Sequence, residues 1–387
     1  MKARFALAAI LAAGLAGPLL ADGTQGVSDT SITFGSITDM SGLFAAAGVP
    51  ASNGANMRFA EANLAGGIHG REIRLIVEDN AYQLPRTMQA LNKLIHRDEV
   101  FGMMLSIGTS MNLAAFKLMD PMNMPNVVPL AASTMMLADP VHNKFVGFSN
   151  YLEQATAGVD YLHNDLGVTR FCAMTLPTDF GEQALEGTHA EIEKLGLSFV
   201  GETTHKGDEA DFTGSLAKLN DLDCQGVVLA LGVRQIITVV GTAKKMGLDD
   251  MHFFTTSTGF FSDIAAVPGG VTDGLIAAAG WVDLVARQDD PLVADWMAKY
   301  EAAYGDKPNG FALIGYAAAD QIVRALEVAG PDVTYDSFIA GMETLDFDDP
   351  LMGNHISYGP EDHTGADGVV ISVVKDGVWN AVATIAQ

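Results

Sequence analysis

Cysteine is almost missing from this 387-residue chain: only Cys172 and Cys224 are present, and neither has the spacing of a metal site. In an exported protein the two could be joined; otherwise they are buried free thiols. Cations are scarce as well, with 22 Lys and Arg against 47 Asp and Glu, a net charge of −25. A surface of that sign lacks the cationic footprint that nucleic acid or an anionic membrane requires, so neither is expected as a partner. Beyond the first twenty residues no apolar run reaches the ~18 residues of a membrane span. Familiar catalytic patterns are absent too. There is no Gly-x-Ser-x-Gly, no His-Glu-x-x-His and no Gly-x-x-x-x-Gly-Lys-Ser/Thr, and no Gly-x-Gly-x-x-Gly follows the first strand. The nine histidines are scattered. No catalytic residue, metal site or cofactor is expected.

What is present is an export-like start followed by a globular chain. Lys2 and Arg4 precede the apolar run Phe5–Leu15, Gly17-Pro18 breaks it, and Leu19-Leu20-Ala21 offers a cleavage site before Asp22. Residues 1–21 are therefore expected to be a signal peptide. With no cysteine at the cleavage site to carry a lipid, the mature protein is expected free in the periplasm. The rest is long enough for two domains, and its 49% hydrophobic and 18% charged residues fit a packed protein.

Strand and helix patterns alternate. Ser31–Ile37 reads as a strand, a small-residue loop and a helix follow, and Gly66-Gly67-Ile68-His69-Gly70-Arg71 turns into the strand Ile73–Glu78, which ends in Asp79-Asn80. Helices are expected at Pro85–Arg97 and Asn112–Met119, and strands at Val100–Leu105 and 124–129. A second series begins near Tyr151. It has strands at Phe171–Leu176, Phe199–Thr204, Val227–Leu231 and His252–Thr256, and helices at Ala155–Asn164, Glu182–Leu195, Phe212–Leu219 and Gln235–Met246. Further helices are expected at Ala294–Tyr304 and Phe311–Ala329, and short strands at Leu351–Ile356 and Val369–Val374. Asp376-Gly377 should turn a closing hairpin. The alternation predicts an α/β protein of two doubly wound halves.

Residues 36–80, with their Gly/Ser-rich loop, helix, Asn-x-x-Gly-Gly-Ile-x-Gly-Arg turn, strand and Asp, closely resemble the start of the periplasmic leucine/isoleucine/valine-binding protein family, the type I solute receptors of ABC importers. The resemblance extends over roughly Val27–Trp379. It implies two parallel-sheet lobes joined by a three-strand hinge, with crossings near Phe148–Tyr151, Leu275–Trp281 and Asn354–Ser357. Lobe 1 would then comprise 22–149 and 281–355, and lobe 2 would comprise 150–280 and 356–387. The implied function is closure of the lobes on a small polar solute, an amino acid or related carboxylate, by a monomer that delivers it unaltered to a membrane permease. A sensor of the same fold, or an exported α/β enzyme, is the rival reading.

The resemblance also implies a ligand site. In lobe 1 it falls on Gly108, Thr109 and Ser110 and on Ala131, Ala132 and Ser133, where relatives hold an α-carboxylate with backbone N–H groups and hydroxyls. The plainer reading of those Ser and Thr residues is helix capping. In lobe 2 it falls on Phe180, Val233, Arg234 and Ser257, with Thr258 beside them. Phe180-Gly181 matches an aromatic-Gly pair whose ring covers the ligand; core packing is the alternative. Relatives that bind amino acids usually place an acidic residue in the segment that here reads Phe254-Thr255-Thr256-Ser257-Thr258-Gly259, without a carboxylate. The early-loop aromatic is displaced, with Phe44 as candidate. Asp39, Asp179 or Glu182 could supply the missing charge. Otherwise the ligand lacks an ammonium and is an amide, a urea or an organic, even aromatic, acid. Arg234 could pair with a second carboxylate or lie solvated on the surface.

Overall fold

Two sheets with the same strand order organise the molecule. A computed structural model describes residues 24–366 and 368–385; the expected signal peptide lies outside the described residues. The first series runs β1 (Ser31–Thr38), α1 (Ala45–Leu64), β2 (Glu72–Asp79), α2 (Leu84–His96), β3 (Gly102–Met104), α3 (Thr109–Met119), β4 (Asn126–Val127) and β5 (Lys144–Phe145). The second runs α4 (Tyr151–Asn164), β6 (Arg170–Thr175), α5 (Asp179–Leu195), β7 (Ser198–Thr204), α6 (Thr213–Asp221), β8 (Gly226–Ala230), α7 (Val233–Lys245), β9 (His252–Thr255), α8 (Ser262–Ala265) and β10 (Ile276–Ala279). Then come α9 (Pro291–Tyr304), α10 (Gly310–Ala329), α11 (Tyr335–Met342), β11 (Asp346–Asp349), β12 (Asn354–Ser357), β13 (Val369–Lys375) and β14 (Val378–Ile385).

The first sheet is parallel, in the order β2-β1-β3-β4-β5. The second repeats that order as β7-β6-β8-β9-β10, and the antiparallel hairpin β13–β14 extends it beyond β10. Each lobe therefore has a switch point, between β1 and β3 and between β6 and β8. At such points the connections leave in opposite directions and a crevice opens outside the strand carboxyl ends. Strands covered on both faces are apolar throughout: every residue of β8 is buried. The helices on the sheets bury one stripe, as α2 does with Ala90, Leu91, Leu94 and Ile95.

The first series passes to the second through residues 146–150. The chain returns after β10 into α9 and α10, and α10 packs along α1. Residues 358–368 then lead to the closing hairpin, where Asp376 and Gly377, both at positive φ, make the expected tight turn. The hinge segments are stitched together: Val146 N–H donates to the His363 carbonyl and Gly365 N–H to that of Val146.

Helix α1 meets α10 at unusually short range, because glycine stands where backbones touch. A Cβ on Gly54 would lie 1.9 Å from the Ala312 carbonyl oxygen, and one on Gly315 would lie 1.9 Å from that of Ala51. The two cysteines are bridged, Cys172 in β6 to Cys224 just before β8, with Cα atoms 6.0 Å apart. Neighbouring parallel strands bring them there, which decides between the two readings of the sequence.

Candidate functional site

Carboxyl-end loops from both sheets converge on one small cavity between the lobes. From the first lobe come Phe44 and Ala47 after β1, Tyr82 after β2, Gly108 and Thr109 after β3, and Ala131 and Ala132 after β4. The second lobe supplies Tyr151, Phe180, Ser257, Thr258 and Phe261, and the hinge side supplies Phe148, Trp281 and Phe311. The walls are rings in contact. Phe44 and Tyr82 meet edge-on at 4.7 Å between centroids, Tyr151 and Phe180 at 5.3 Å, and Phe261 stacks on Phe311 at 4.5 Å.

Local chemistry positions these groups. Buried Asp39 accepts the N–H groups of Ser41, Gly42 and Phe44 at 3.2, 2.5 and 2.8 Å, which fixes the loop that delivers Phe44. Asp79 takes Met40 N–H, Ser41 Oγ–H and Ala81 N–H, tying the first two strand ends together. Burial pushes its carboxyl up, but those hydrogen bonds outweigh it and hold the group below its ordinary value. Asn80 Oδ1 accepts Tyr82 N–H at 2.9 Å. With that support Ala81 and Tyr82 adopt φ of +46° and +55°. Left-handed backbone is costly for a bulky residue and collects at ligand sites. Gly108 has φ +91°, and a Cβ there would lie 2.7 Å from Met111 Sδ and 3.1 Å from the Tyr82 ring.

The polar groups on the wall are few. Thr109 opens α3, is 2% exposed, and its Oγ1 has no partner among the described residues. The N–H groups of the first turn of α3 have no intrahelical acceptor ahead of them. Trp281, 1% exposed, lends the wall its ring; its Nε1–H has no partner among the described residues and lies against Gly310, 2.8 Å from where a Cβ there would sit. Thr258 is satisfied by Thr256 at 2.9 Å. Burial pushes the Tyr151 phenol up to about 12 and the Tyr82 phenol higher still, so both are neutral O–H groups at physiological pH. Among the described residues no carboxylate lines the cavity.

Of the residues expected at a ligand site, Gly108, Thr109, Ala131, Ala132, Phe180 and Ser257 lie on this wall, with Thr258 and Phe44. Ser110, Ser133, Val233 and Arg234 lie elsewhere. Ser110 is exposed, and Ser133 turns its hydroxyl to Met135 N–H as a cap. Val233 is buried at the start of α7, and Arg234 lines a separate interlobe groove with Leu43, Asp208 and Glu209. Of the three acids that could have supplied charge, Asp39 is committed to its loop, Glu182 is exposed, and half-buried Asp179 begins α5 off the wall. Tyr82, Tyr151, Trp281 and Phe311 were not singled out as ligand residues. They come from separate segments, and the one local clue was the Asp79-Asn80 turn that carries Tyr82.

Contacts away from the cavity also join the lobes. Thr134 N–H donates to Gln183 Oε1 at 3.1 Å, and Gln183 Nε2 returns a bond to Thr134 Oγ1 at 2.6 Å. Leu43, from the first lobe, rests its methyl groups against Gly232 and Gly207 of the second.

Comparison with known proteins places this architecture. The profile of the family described as periplasmic binding protein matches residues 31–378. An amino acid binding protein of Pseudomonas aeruginosa is 24% identical over 285 residues, covering 72% of this chain and 73% of its own. A branched-chain amino acid ABC transporter structure from Thermus thermophilus with bound valine superposes with a TM-score of 0.83 at 20% identity, over 93% of this chain and 98% of the other. An ABC transporter solute-binding protein of Rhodopseudomonas palustris holding 3,4-dihydroxybenzoic acid gives 0.81 at 21% identity, over 93% and 98%. The matched family and these neighbours are solute-binding proteins, and among the described residues no helix is long and apolar enough to cross a membrane. With nearly its whole described length matched, two sheets of like order and a cavity between them, this chain belongs to the periplasmic binding protein family.

Proposed function

We propose that this protein is the periplasmic receptor of an ABC importer, and that its lobes close on a small organic carboxylate, which it hands unaltered to a membrane permease. The observation that carries the reading is Thr109. Thr109 lines the cavity at the amino end of an 11-residue helix, and its hydroxyl is buried without a partner among the described residues. A buried hydroxyl without a partner is rare in folded proteins, and a helix start adds free N–H groups and a favourable potential for an anion. The relatives are consistent with this: valine and 3,4-dihydroxybenzoic acid, bound in two structures of this fold, differ in body but share a carboxyl group. Export is supported by the basic, apolar and small-residue order of residues 2–21. The lobe division, expected as 22–149 with 281–355 and 150–280 with 356–387, is supported at its first limit by the end of the first sheet at Phe145 and at its close by the pairing of the last hairpin with β10, whereas the limit at 355 falls inside β12, which pairs with β11, and is moved beyond Ser357. The protein acts as a monomer.

The test is calorimetric titration and thermal shift with L-valine, L-phenylalanine, benzoate and 4-hydroxybenzoate. A carboxylate ligand at 100 times its Kd should add about 2.7 kcal/mol of stability. Thr109→Val keeps the shape and removes the donor. A hydrogen bond to a charged group is worth about 1.5–3 kcal/mol, so affinity should fall roughly ten- to a hundredfold. An unchanged Kd in a folded Thr109→Val protein would remove the carboxylate from this position.

A further inference from the structure

We infer that the cavity is selective for a flat aryl carboxylate without an ammonium group, and that Tyr82 and Tyr151 determine this specificity. The inference rests on the carboxylate reading of Thr109 and adds what lies at the other end of the ligand.

Three observations support it. First, an α-amino acid would bring an ammonium into a closed cleft where, among the described residues, no carboxylate lines the wall. Asp39, the buried acid on the nearest loop, already accepts three backbone N–H groups. A buried cation with no counter-charge is strongly disfavoured. Second, the body of the cavity is built from ring pairs contributed by both lobes, Phe44 with Tyr82 and Tyr151 with Phe180. Such walls offer edges and faces to a planar ring, and closure assembles the two pairs around it. Third, the remaining polar groups can donate. Tyr82 and Tyr151 line the cavity from opposite lobes, and both phenols keep their protons at neutral pH. Donors suit a ring oxygen, such as a hydroxyl substituent.

Rings can also enclose a quaternary ammonium. That occupant would leave the phenol O–H groups without an acceptor, so the donor set favours the aryl acid. The strain at Tyr82 points the same way: Asp79 and Asn80 hold Ala81 and Tyr82 in left-handed backbone, and the result is a phenol ring on the cavity wall.

The experiment titrates the full mature protein with benzoate, 4-hydroxybenzoate, L-phenylalanine, L-leucine, glycine betaine and benzyl alcohol. Benzoate and 4-hydroxybenzoate are expected to bind, and L-phenylalanine, which adds an ammonium beside its carboxylate, at least a hundredfold more weakly. The double variant Tyr82→Phe, Tyr151→Phe keeps the rings and should weaken 4-hydroxybenzoate about tenfold more than benzoate. A merely structural role for the phenols would shift both ligands equally. L-phenylalanine or L-leucine binding as tightly as benzoate would overturn this inference and leave the carboxylate reading standing. Glycine betaine as the tightest probe would overturn it in favour of a cation cage. Benzyl alcohol binding as well as benzoate would sink the carboxylate reading instead. If none of the six binds, both fail.

Discussion

Replacing Gly315 with alanine should destabilise the protein by about 1–3 kcal/mol, and Gly54→Ala should do the same, because each new methyl meets a main-chain oxygen that cannot step aside. The added Cβ would lie 1.9 Å from the Ala51 carbonyl in one case and 1.9 Å from the Ala312 carbonyl in the other. Helix propensity alone would favour alanine over glycine by about 1 kcal/mol, so the sign of the result separates the two effects. Valine at 315 should be worse still. The double variant should cost less than the sum of its parts, since moving α1 off α10 relieves both collisions at once. Gly214, exposed in α6 with nothing within 4 Å of a new Cβ, gives the opposite sign: alanine there should stabilise by about 0.5–1 kcal/mol. Urea titrations followed by circular dichroism would read all five midpoints. A stabilised Gly315→Ala protein would show that the helices do not meet as described.

Reducing the bridge between Cys172 and Cys224 should lower stability by about 2–4 kcal/mol. The bond closes a loop across 52 residues, containing α5, β7 and α6, so the unfolded chain loses much of its freedom when the link is intact. Both cysteines are buried in the native state, so reductant acts chiefly on unfolded molecules. Equilibrium urea unfolding with and without reductant gives the difference directly. The slope of the transition should also rise on reduction, since an unlinked chain exposes more surface. Coincident curves would mean that the link does not form in solution.

The architecture was largely readable from the residues because its elements are long or sharply punctuated. The Gly-Gly-Ile-His-Gly-Arg turn closes as expected, with Ile68 and Arg71 exchanging backbone bonds, and β1 and β2 extend only a residue beyond their expected limits. Short elements escaped. β5 has two residues and includes Lys144, buried against Asp120 at 2.8 Å, a pairing that no periodicity reveals. β11 reads Asp-Phe-Asp-Asp, which looks like a polar loop, and α11 holds eight residues with a serine and a glycine among them. β3 and β4 were drawn too long, because apolar runs continue past the last paired residue.

The cavity was readable only in part, and the division has a physical cause. Residues beside a turn signal, such as Gly108 and Thr109, can be placed at a strand end from local sequence alone. Tyr82, Tyr151, Trp281 and Phe311 share no period, so only the tertiary fold brings their rings together. Ser133 and Thr109 show the limit well: both are hydroxyl residues after a strand, yet one caps its own turn and the other lines the cavity with its hydroxyl unpartnered among the described residues.

The clasp between Thr134 and Gln183 lies off the cavity wall, so it can bias the open–shut balance without touching a guest. A substitution at position 183 would therefore loosen the grip of one half of the molecule on the other and leave the lining of the cavity as it stands.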